Sequence, residues 1–398
     1  MANGAERRRR FGAGAGLTAV LFAAAAGPAL ADEVPPALTQ VAPELAEDVC
    51  VPPSEEVVNQ ELWTENALGL PRARSASSGA GVTVAVVGTG VDDSSAALSG
   101  AVDGAGEDCT GFGTFLAGIV AARPQPDSGL VGVAPGARVL AVPVTDDWGG
   151  TDADAVAEGI TDAVGDGADV VLVGVAIPVG SSALEKAVDT AVQEDVLVVA
   201  PSMALVQRDA YAAVPATRSD VLGVAGTGTD GVPLVPAPPG GGVSAPDLTA
   251  PGQSVLSLAP GGDGHAVGEG DAVAAAFVAG VAAQLRSDDP ELSAAQTAER
   301  LVMSAYPDAE GGAGFLDPVG ALTRNLGPRS GDGAEAESFA LDLPREPHRG
   351  AVMAVVGGTA LLVTICAVGA AAARRLRSKA EAGAKAGAGV APRARSVL

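Results

Sequence analysis

The stretch VTVAVVGTGV, residues 82–91, decides the fold of this chain. An uninterrupted apolar and β-branched run leads into two glycines, Gly88 and Gly90. Such a run is typical of a strand that is buried on both faces of a sheet. Comparable runs follow at residues 139–144, 170–175, 196–200 and 221–225. The sequence therefore predicts a set of short, fully buried strands.

Helical stretches with polar N-terminal residues separate these strands. Thr151, three residues ahead of Asp154, predicts a capping box at the start of one helix. Ser182 and Glu185 predict a second capping box in the same way. Alternating strands and helices predict an α/β fold in which helices cover both faces of a parallel sheet. In such sheets, active sites lie at the carboxyl ends of the strands.

Charge is distributed unevenly along the 398 residues. Residues 1–31 carry a net +3 and residues 374–398 a net +6, and subtracting both from the total of −24 leaves −33 for residues 32–373. So acidic a body is a poor candidate for binding nucleic acid or for binding anionic lipid, and we expect no nucleic-acid partner. Two histidines and three cysteines leave little for a His/Cys metal site, so we expect no metal and no cofactor.

Both basic ends have the features of membrane-targeting segments. Four arginines at 7–10 precede an apolar stretch and the small residues at 29–31, and this order predicts a signal peptide. The arrangement of Arg8, Arg9 and Phe11 leaves the twin-arginine pathway open as an alternative to the Sec pathway. Residues 350–373 hold no charge over 24 positions, enough to cross a bilayer, although a buried Ala/Gly-rich helix is the alternative. Basic residues follow directly, which places the C-terminus in the cytoplasm and the N-terminal domain outside it.

These features divide the chain into six predicted segments of a single-pass cell-membrane protein. They are a signal peptide (1–31), an N-terminal extension (32–80), a globular body (81–327), a linker (328–349), a transmembrane helix (350–373) and a basic cytoplasmic tail (374–398).

Two of the three cysteines, Cys50 and Cys109, lie on the exported side, where a disulfide persists. If paired, they would close a loop of about 58 residues and stabilise the fold by about 4 kcal/mol on the chain-entropy model. Two free buried thiols are the alternative. Cys366 lies in the predicted membrane span and is interpreted as a packing residue.

Several segments resemble the subtilisin-like serine proteases and, more narrowly, the mycosins, membrane-anchored subtilases associated with type VII secretion. The resemblance covers about residues 45–327, and Asp108-Cys109 is also mycosin-like. It implies a three-layer subtilisin-like fold, protein partners in a type VII secretion membrane complex, and an extended peptide as a further ligand, since subtilases bind substrate by strand addition. The segments that carry it are VAVVGTGV (84–91), GFGTFLAGIVAAR (111–123), GLVGVAPGARVLAVPV (129–144), DLTAPGQSVLSLAP (247–260) and GEGDAVAAAFVAGVAAQL (268–285).

The resemblance also implies that the catalytic positions are degenerate. Gly88 stands where the family has the aspartate that orients the histidine, and Phe112 stands where it has the histidine. Ala272 takes the place of the nucleophilic serine, and Met203 that of the oxyanion-hole asparagine. Alanine cannot attack a carbonyl, and phenylalanine cannot accept a proton. Loss of an oxyanion donor alone typically costs about 2.7–4 kcal/mol of transition-state stabilisation.

We therefore predict a pseudoprotease that acts as a binding or scaffold module. The alternative is a serine endopeptidase, or a hydrolase, that works through relocated groups. His265, the only histidine of the body, is interpreted as an exposed loop residue, with a rescued general base as the alternative. Asp92 and Asp93 are interpreted as turn carboxylates. Asp271 is interpreted as solvated, with a lone functional carboxylate as the alternative.

A cluster of acidic residues surrounds Trp148-Gly149-Gly150 and offers oxygen ligands of the kind that calcium prefers. Its spacing matches no defined calcium loop, and carboxylates ahead of a helix also interact favourably with the helix dipole. We therefore assign no metal to the cluster, which consists of Asp146, Asp147, Asp152 and Asp154.

Overall fold

The computed structural model describes residues 38–207, 209–235, 245–307, 313–324, 368, 369, 372 and 374. The chain divides into two units, Met1–Gly327 and Pro328–Leu398. In the second unit the four described residues are helical. The predicted signal peptide, linker and nearly all of the predicted span and tail lie outside the described residues. Of the helices that the structure describes, none combines the length and the apolar character that crossing a bilayer requires.

An eight-stranded sheet forms the centre of the first unit, and all of its strand pairs are parallel. Its order is β13-β10-β9-β6-β5-β2-β4-β3. In chain order the strands are β1 (Thr39–Gln40), β2 (Thr83–Gly88), β3 (Val102–Asp103), β4 (Arg138–Pro143), β5 (Val170–Val173), β6 (Leu197–Pro201), β7 (Met203–Val206), β8 (Asp209–Ala212), β9 (Leu222–Thr227), β10 (Leu248–Pro251), β11 (Val255–Leu258), β12 (His265–Gly268) and β13 (Gly314–Phe315).

Helices cover both faces of this sheet, as the sequence predicts. They are α1 (Trp63–Leu68), α2 (Leu70–Ala76), α3 (Phe112–Ala121), α4 (Ala153–Gly165), α5 (Ser182–Gln193), α6 (Asp271–Asp288), α7 (Ala294–Ser304) and α8 (Pro318–Thr323). Alternation along β2 sends Val84 and Val86 into the cluster that contains α3 and α6, and Ala85 and Val87 into the cluster that contains α4 and α5. Because both faces are buried, the run needs no polar residues.

The helix starts differ from the predicted capping boxes by one residue, so both boxes are wrong. Asp152, not Thr151, caps α4 by accepting hydrogen bonds from two backbone N–H groups of the first turn. Thr151 lies one residue before the N-cap, and its hydroxyl donates to the carbonyl oxygen of Val144 at 2.6 Å. Ser181 caps α5, and Ser182 is already its first helical residue.

The N-terminal extension packs onto the body from residue 38 onward. Strand β1 pairs in parallel with β12, and Leu68 and Leu70 are buried in the main core. Trp63 donates its indole N–H to the carbonyl oxygen of Ser254 at 3.0 Å. A disulfide joins Cys50 to Cys109, with an S–S distance of 2.04 Å. The extension is therefore attached at several points along its length.

Candidate functional site

The carboxyl end of β2 and the first turn of α3 bring Gly88 close to Phe112. The Thr89 hydroxyl, one residue past Gly88, accepts a hydrogen bond from the backbone N–H of Gly113 at 2.8 Å. A Cβ at Gly113 would clash with the carbonyl oxygen of Gly90, so only glycine permits this approach. The residues that directly follow Gly88 and Phe112, the two positions that the family resemblance assigns to catalysis, are thus bonded to each other.

Phe112 is packed into the protein interior instead of lining an open groove. Its side chain is 1% exposed, and its ring stacks on that of Phe115 with centroids 6.3 Å apart and planes at 5°. A ring in this place accepts no proton and holds no hydrogen-bond partner. The position assigned to a general base therefore contributes packing energy.

Asp108 is a buried carboxylate that ties β2 to α3. Its Oδ1 accepts from the Thr89 hydroxyl at 2.9 Å, and its Oδ2 from the Thr114 hydroxyl and backbone N–H at 2.7 and 2.8 Å. The Thr110 hydroxyl and the Gly111 N–H also donate to it. Burial raises its pKa, and the hydrogen bonds from Thr114 and the other donors oppose this effect. The sequence singled out Asp108 through its resemblance to the mycosins, and it did not predict this structural role.

Asp271 performs the corresponding role at the first turn of α6, next to Ala272. Its Oδ2 accepts from the Ser202 hydroxyl at 2.9 Å and the Met203 N–H at 3.0 Å, and its Oδ1 from the Gly226 N–H at 2.8 Å. The side chain is 6% exposed, so the interpretation of a solvated carboxylate is wrong. The ends of β6 and β9 leave donors without partners, and this carboxylate satisfies them.

The Asp271 carboxylate also links two assigned positions, since Ala272 is its neighbour in the chain and Met203 its hydrogen-bond donor. Burial raises its pKa, and the hydrogen bonds from Gly226, Ser202 and Met203 oppose that rise. Among the described residues, neither Asp108 nor Asp271 forms an ion pair. Both buried carboxylates are stabilised by hydrogen bonds from uncharged donors.

His265 lies in β12 and is 1% exposed, so the interpretation of an exposed loop histidine is wrong. Its Nδ1 accepts a hydrogen bond from the Val58 backbone N–H at 3.0 Å, and its Nε2 lies 3.2 Å from the Ser128 hydroxyl. No sequence signal connected these three residues. The ring borders a cavity of about 260 Å³ that the side chains of Asp127 and Asp263 also line.

The Ser128–His265 pair has the wrong protonation for nucleophilic catalysis. A backbone N–H can only donate, so Nδ1 of His265 carries no proton and Nε2 carries it. Nε2 therefore donates to Ser128 and cannot remove the proton of its hydroxyl. Asp263 does not orient the ring, because its Oδ1 accepts from Ser95 and Ala96 instead.

A model of the subtilase family matches residues 79–333. The chain belongs to the subtilase family. Within it, the chain is 31% identical to Mycosin-1 of Mycobacterium tuberculosis over 332 residues, 67% of this chain and 74% of that protein. It is 31% identical to Mycosin-1 of Mycolicibacterium smegmatis over 390 residues, 80% of this chain and 85% of that protein. This subtilase is thus a mycosin homologue.

Solved structures agree with this placement. A structure of the serine protease MycP1, described as an essential component of the type VII (ESX-1) secretion system, superposes with a TM-score of 0.59 at 27% identity and covers 73% of this chain and 97% of that one. A chain of the intact ESX-5 inner membrane complex superposes with a TM-score of 0.62 at 24% identity, covering 85% of this subtilase and 97% of that chain. The latter shows the shared fold.

Asp92, Asp93 and Asp146 take no part in the contacts of Asp108 and Asp271. Asp92 accepts from the Ser94 N–H at 2.8 Å and the Gly261 N–H at 2.7 Å, so it is a turn carboxylate as predicted, and Asp93 is exposed. Asp146 accepts from two backbone N–H groups of its own loop. Within the described residues, no three His, Cys, Asp or Glu side chains are grouped as metal ligands.

Proposed function

We propose that this mycosin homologue is an exported, membrane-anchored pseudoprotease that serves as a binding or scaffold component of a type VII secretion membrane complex. The description of MycP1 as an essential component of such a system supports the partner class. The fold shared with a chain of the ESX-5 inner membrane complex is consistent with it. The uncharged residues 350–373 and the basic residues after them support a single span with a cytoplasmic C-terminus.

The burial of Phe112 is the main observation that supports the proposed loss of catalysis. Proteolysis by the family mechanism needs a base that reaches a nucleophile. At 1% exposure, Phe112 fills this place with a ring that packs on Phe115. Gly88 and Ala272 supply neither an orienting carboxylate nor a nucleophile. The carboxylates close by, Asp108 and Asp271, are occupied by structural donors.

The competing hypothesis is a serine hydrolase with relocated groups, and the Ser128–His265 contact is the observation that favours it. The tautomer that Val58 imposes on His265 argues against it. Purified protein should be incubated with a fluorophosphonate probe and with casein, beside an active subtilisin and a Ser128→Ala variant. We expect no labelling and no cleavage. Labelling that disappears in Ser128→Ala, or cleavage that a serine-protease inhibitor abolishes, would establish the enzyme.

Membership of a membrane complex needs a separate test. The full chain should be purified in mild detergent from its own host, beside a chain truncated after Arg349. We expect secretion-complex subunits to accompany the full chain and to be depleted from the truncated one. Identical partners in both preparations, or no secretion subunits in either, would contradict the scaffold proposal and leave the pseudoprotease assignment intact.

A further inference from the structure

The part of the N-terminal extension between Cys50 and α1 crosses the body as a strap, defined here as residues 54–60. Its two ends are fixed by independent contacts. On one side the disulfide joins Cys50 to Cys109, and on the other Trp63 donates to the Ser254 carbonyl oxygen. Because the ends are fixed, the strap can detach locally without the extension leaving the body.

His265 provides most of the polar attachment of the strap. Its backbone N–H donates to the Glu56 carbonyl oxygen at 2.8 Å, and its Nδ1 accepts from the Val58 N–H at 3.0 Å. Gly129 donates to the Val58 carbonyl oxygen at 2.8 Å, next to the Ser128 hydroxyl that contacts Nε2. The imidazole thus lies between the strap and the loop that contains Ser128, and it bonds to both.

The attachment requires a neutral imidazole. Nε2 already carries a proton, so a second proton can bind only at Nδ1. A protonated Nδ1 would direct an N–H at the Val58 N–H, and two donors then face each other in a nearly dry environment. That loses one hydrogen bond and leaves a buried donor unsatisfied on each side. Protonation and strap attachment are therefore mutually exclusive at this contact.

The charged side chains near this imidazole are all exposed. The strap carries Glu55 and Glu56, and the cavity lining contributes Asp127 and Asp263. The loop at residues 95–97 and strand β11 contribute only Ser95, Ala97 and Leu258 to the cavity, none of them charged. Burial of the ring lowers the pKa of His265. These rim carboxylates lie in water and do not keep the ring protonated.

We propose that His265 is an acid-sensitive latch: protonation of its Nδ1 releases residues 54–60 and widens the cavity that Val57 of the strap and His265 both line, while the flanking contacts keep both ends of the strap in place. The pKa of His265 in the attached state lies below the ordinary value of about 6.5. The neutral ring therefore stabilises the attached strap fully above that value. This stabilisation is lost as pH falls through the pKa of the attached state.

Hydrogen–deuterium exchange of the full chain at pH 7.5 and pH 5.0, corrected for intrinsic exchange rates, tests the latch. We expect protection of the strap peptide to fall at least tenfold more than that of a β2 peptide, which serves as the internal reference. Asp127→Asn should behave like the wild type, because the carboxylate is not the sensor. Equal corrected protection of the strap at both pH values would overturn the proposal, and this outcome needs no variant.

His265→Asn separates the latch from general acid effects. Asparagine offers an acceptor oxygen to the Val58 N–H and does not titrate in this range. We expect this variant to keep the same corrected strap protection at pH 7.5 and pH 5.0. If His265→Asn keeps a protected β2 peptide and still loses strap protection tenfold at pH 5.0, His265 is not the sensor. Loss of the acid response in Asp127→Asn would contradict the proposal as well. If the β2 peptide of His265→Asn is unprotected, the variant is not folded, and the proposal is judged on the wild-type protein at the two pH values.

Discussion

Replacing Asp271 by alanine should destabilise this subtilase strongly, although the residue stands beside Ala272, the position that the family resemblance assigns to the nucleophile. The carboxylate accepts hydrogen bonds from the Ser202 hydroxyl and from the Met203 and Gly226 backbone N–H groups. The three donor residues are buried, with Ser202 at 7% and Met203 at 8% exposure. Alanine at this position leaves all three donors without an acceptor.

The expected loss follows from counting those donors. An unsatisfied buried donor costs about 1–3 kcal/mol. The Ser202 hydroxyl can rotate toward another acceptor, whereas the two backbone N–H groups are held by β7 and β9. Removing the carboxylate also removes its own cost of burial, which is the reason its pKa is raised. The balance is a loss of about 4 kcal/mol in the free energy of unfolding for Asp271→Ala.

Urea unfolding followed by far-UV circular dichroism measures this loss directly. Asp93→Ala is the matched control, because Asp93 is exposed and its removal should change the free energy by less than about 0.5 kcal/mol. Asp271→Asn keeps the size but only one acceptor oxygen, so it should lose an intermediate amount. If Asp271→Ala unfolds within about 1 kcal/mol of the wild type, the carboxylate is not the acceptor that holds β7 and β9 to α6.

Three further predictions test the site and the extension. Phe112→Ala should lower the free energy of unfolding in urea by about 3–5 kcal/mol, because it leaves a cavity where a fully buried ring was. A loss below about 1 kcal/mol would mean that the ring is not packed as described. Ala272→Ser should remain unlabelled by a fluorophosphonate, since Phe112 supplies no base, and labelling would refute this. Cys50→Ser should reduce stability by about 4 kcal/mol. Calorimetry should show the matching fall in Tm, and an unchanged Tm would contradict the role of the Cys50–Cys109 disulfide.

The buried strands and the helices between them were predictable from the sequence. A strand covered on both faces needs apolar residues at successive positions, as in the run from Val84 to Val87. The proposal that catalysis is lost also rests on the sequence, because the side chains of Gly88, Phe112 and Ala272 lack the reactive atoms in any fold. The helix caps were predicted one residue away from their places, because neighbouring polar residues such as Thr151 and Asp152 are both suited to the N-cap by residue type.

The surroundings of single polar residues were decided by the tertiary structure alone. Asp271 obtains its donors from residues 69, 68 and 45 positions away, and Val58 lies 207 positions from His265. Whether a carboxylate or an imidazole is buried depends on such partners, and local periodicity does not report them. The sequence by itself determined the α/β layers, and the proposed loss of the nucleophile and base follows from residue identities alone. Only the fold decided that Asp271 and His265 became internal hydrogen-bonding residues, because the groups that desolvate and satisfy them come from distant strands and from the extension.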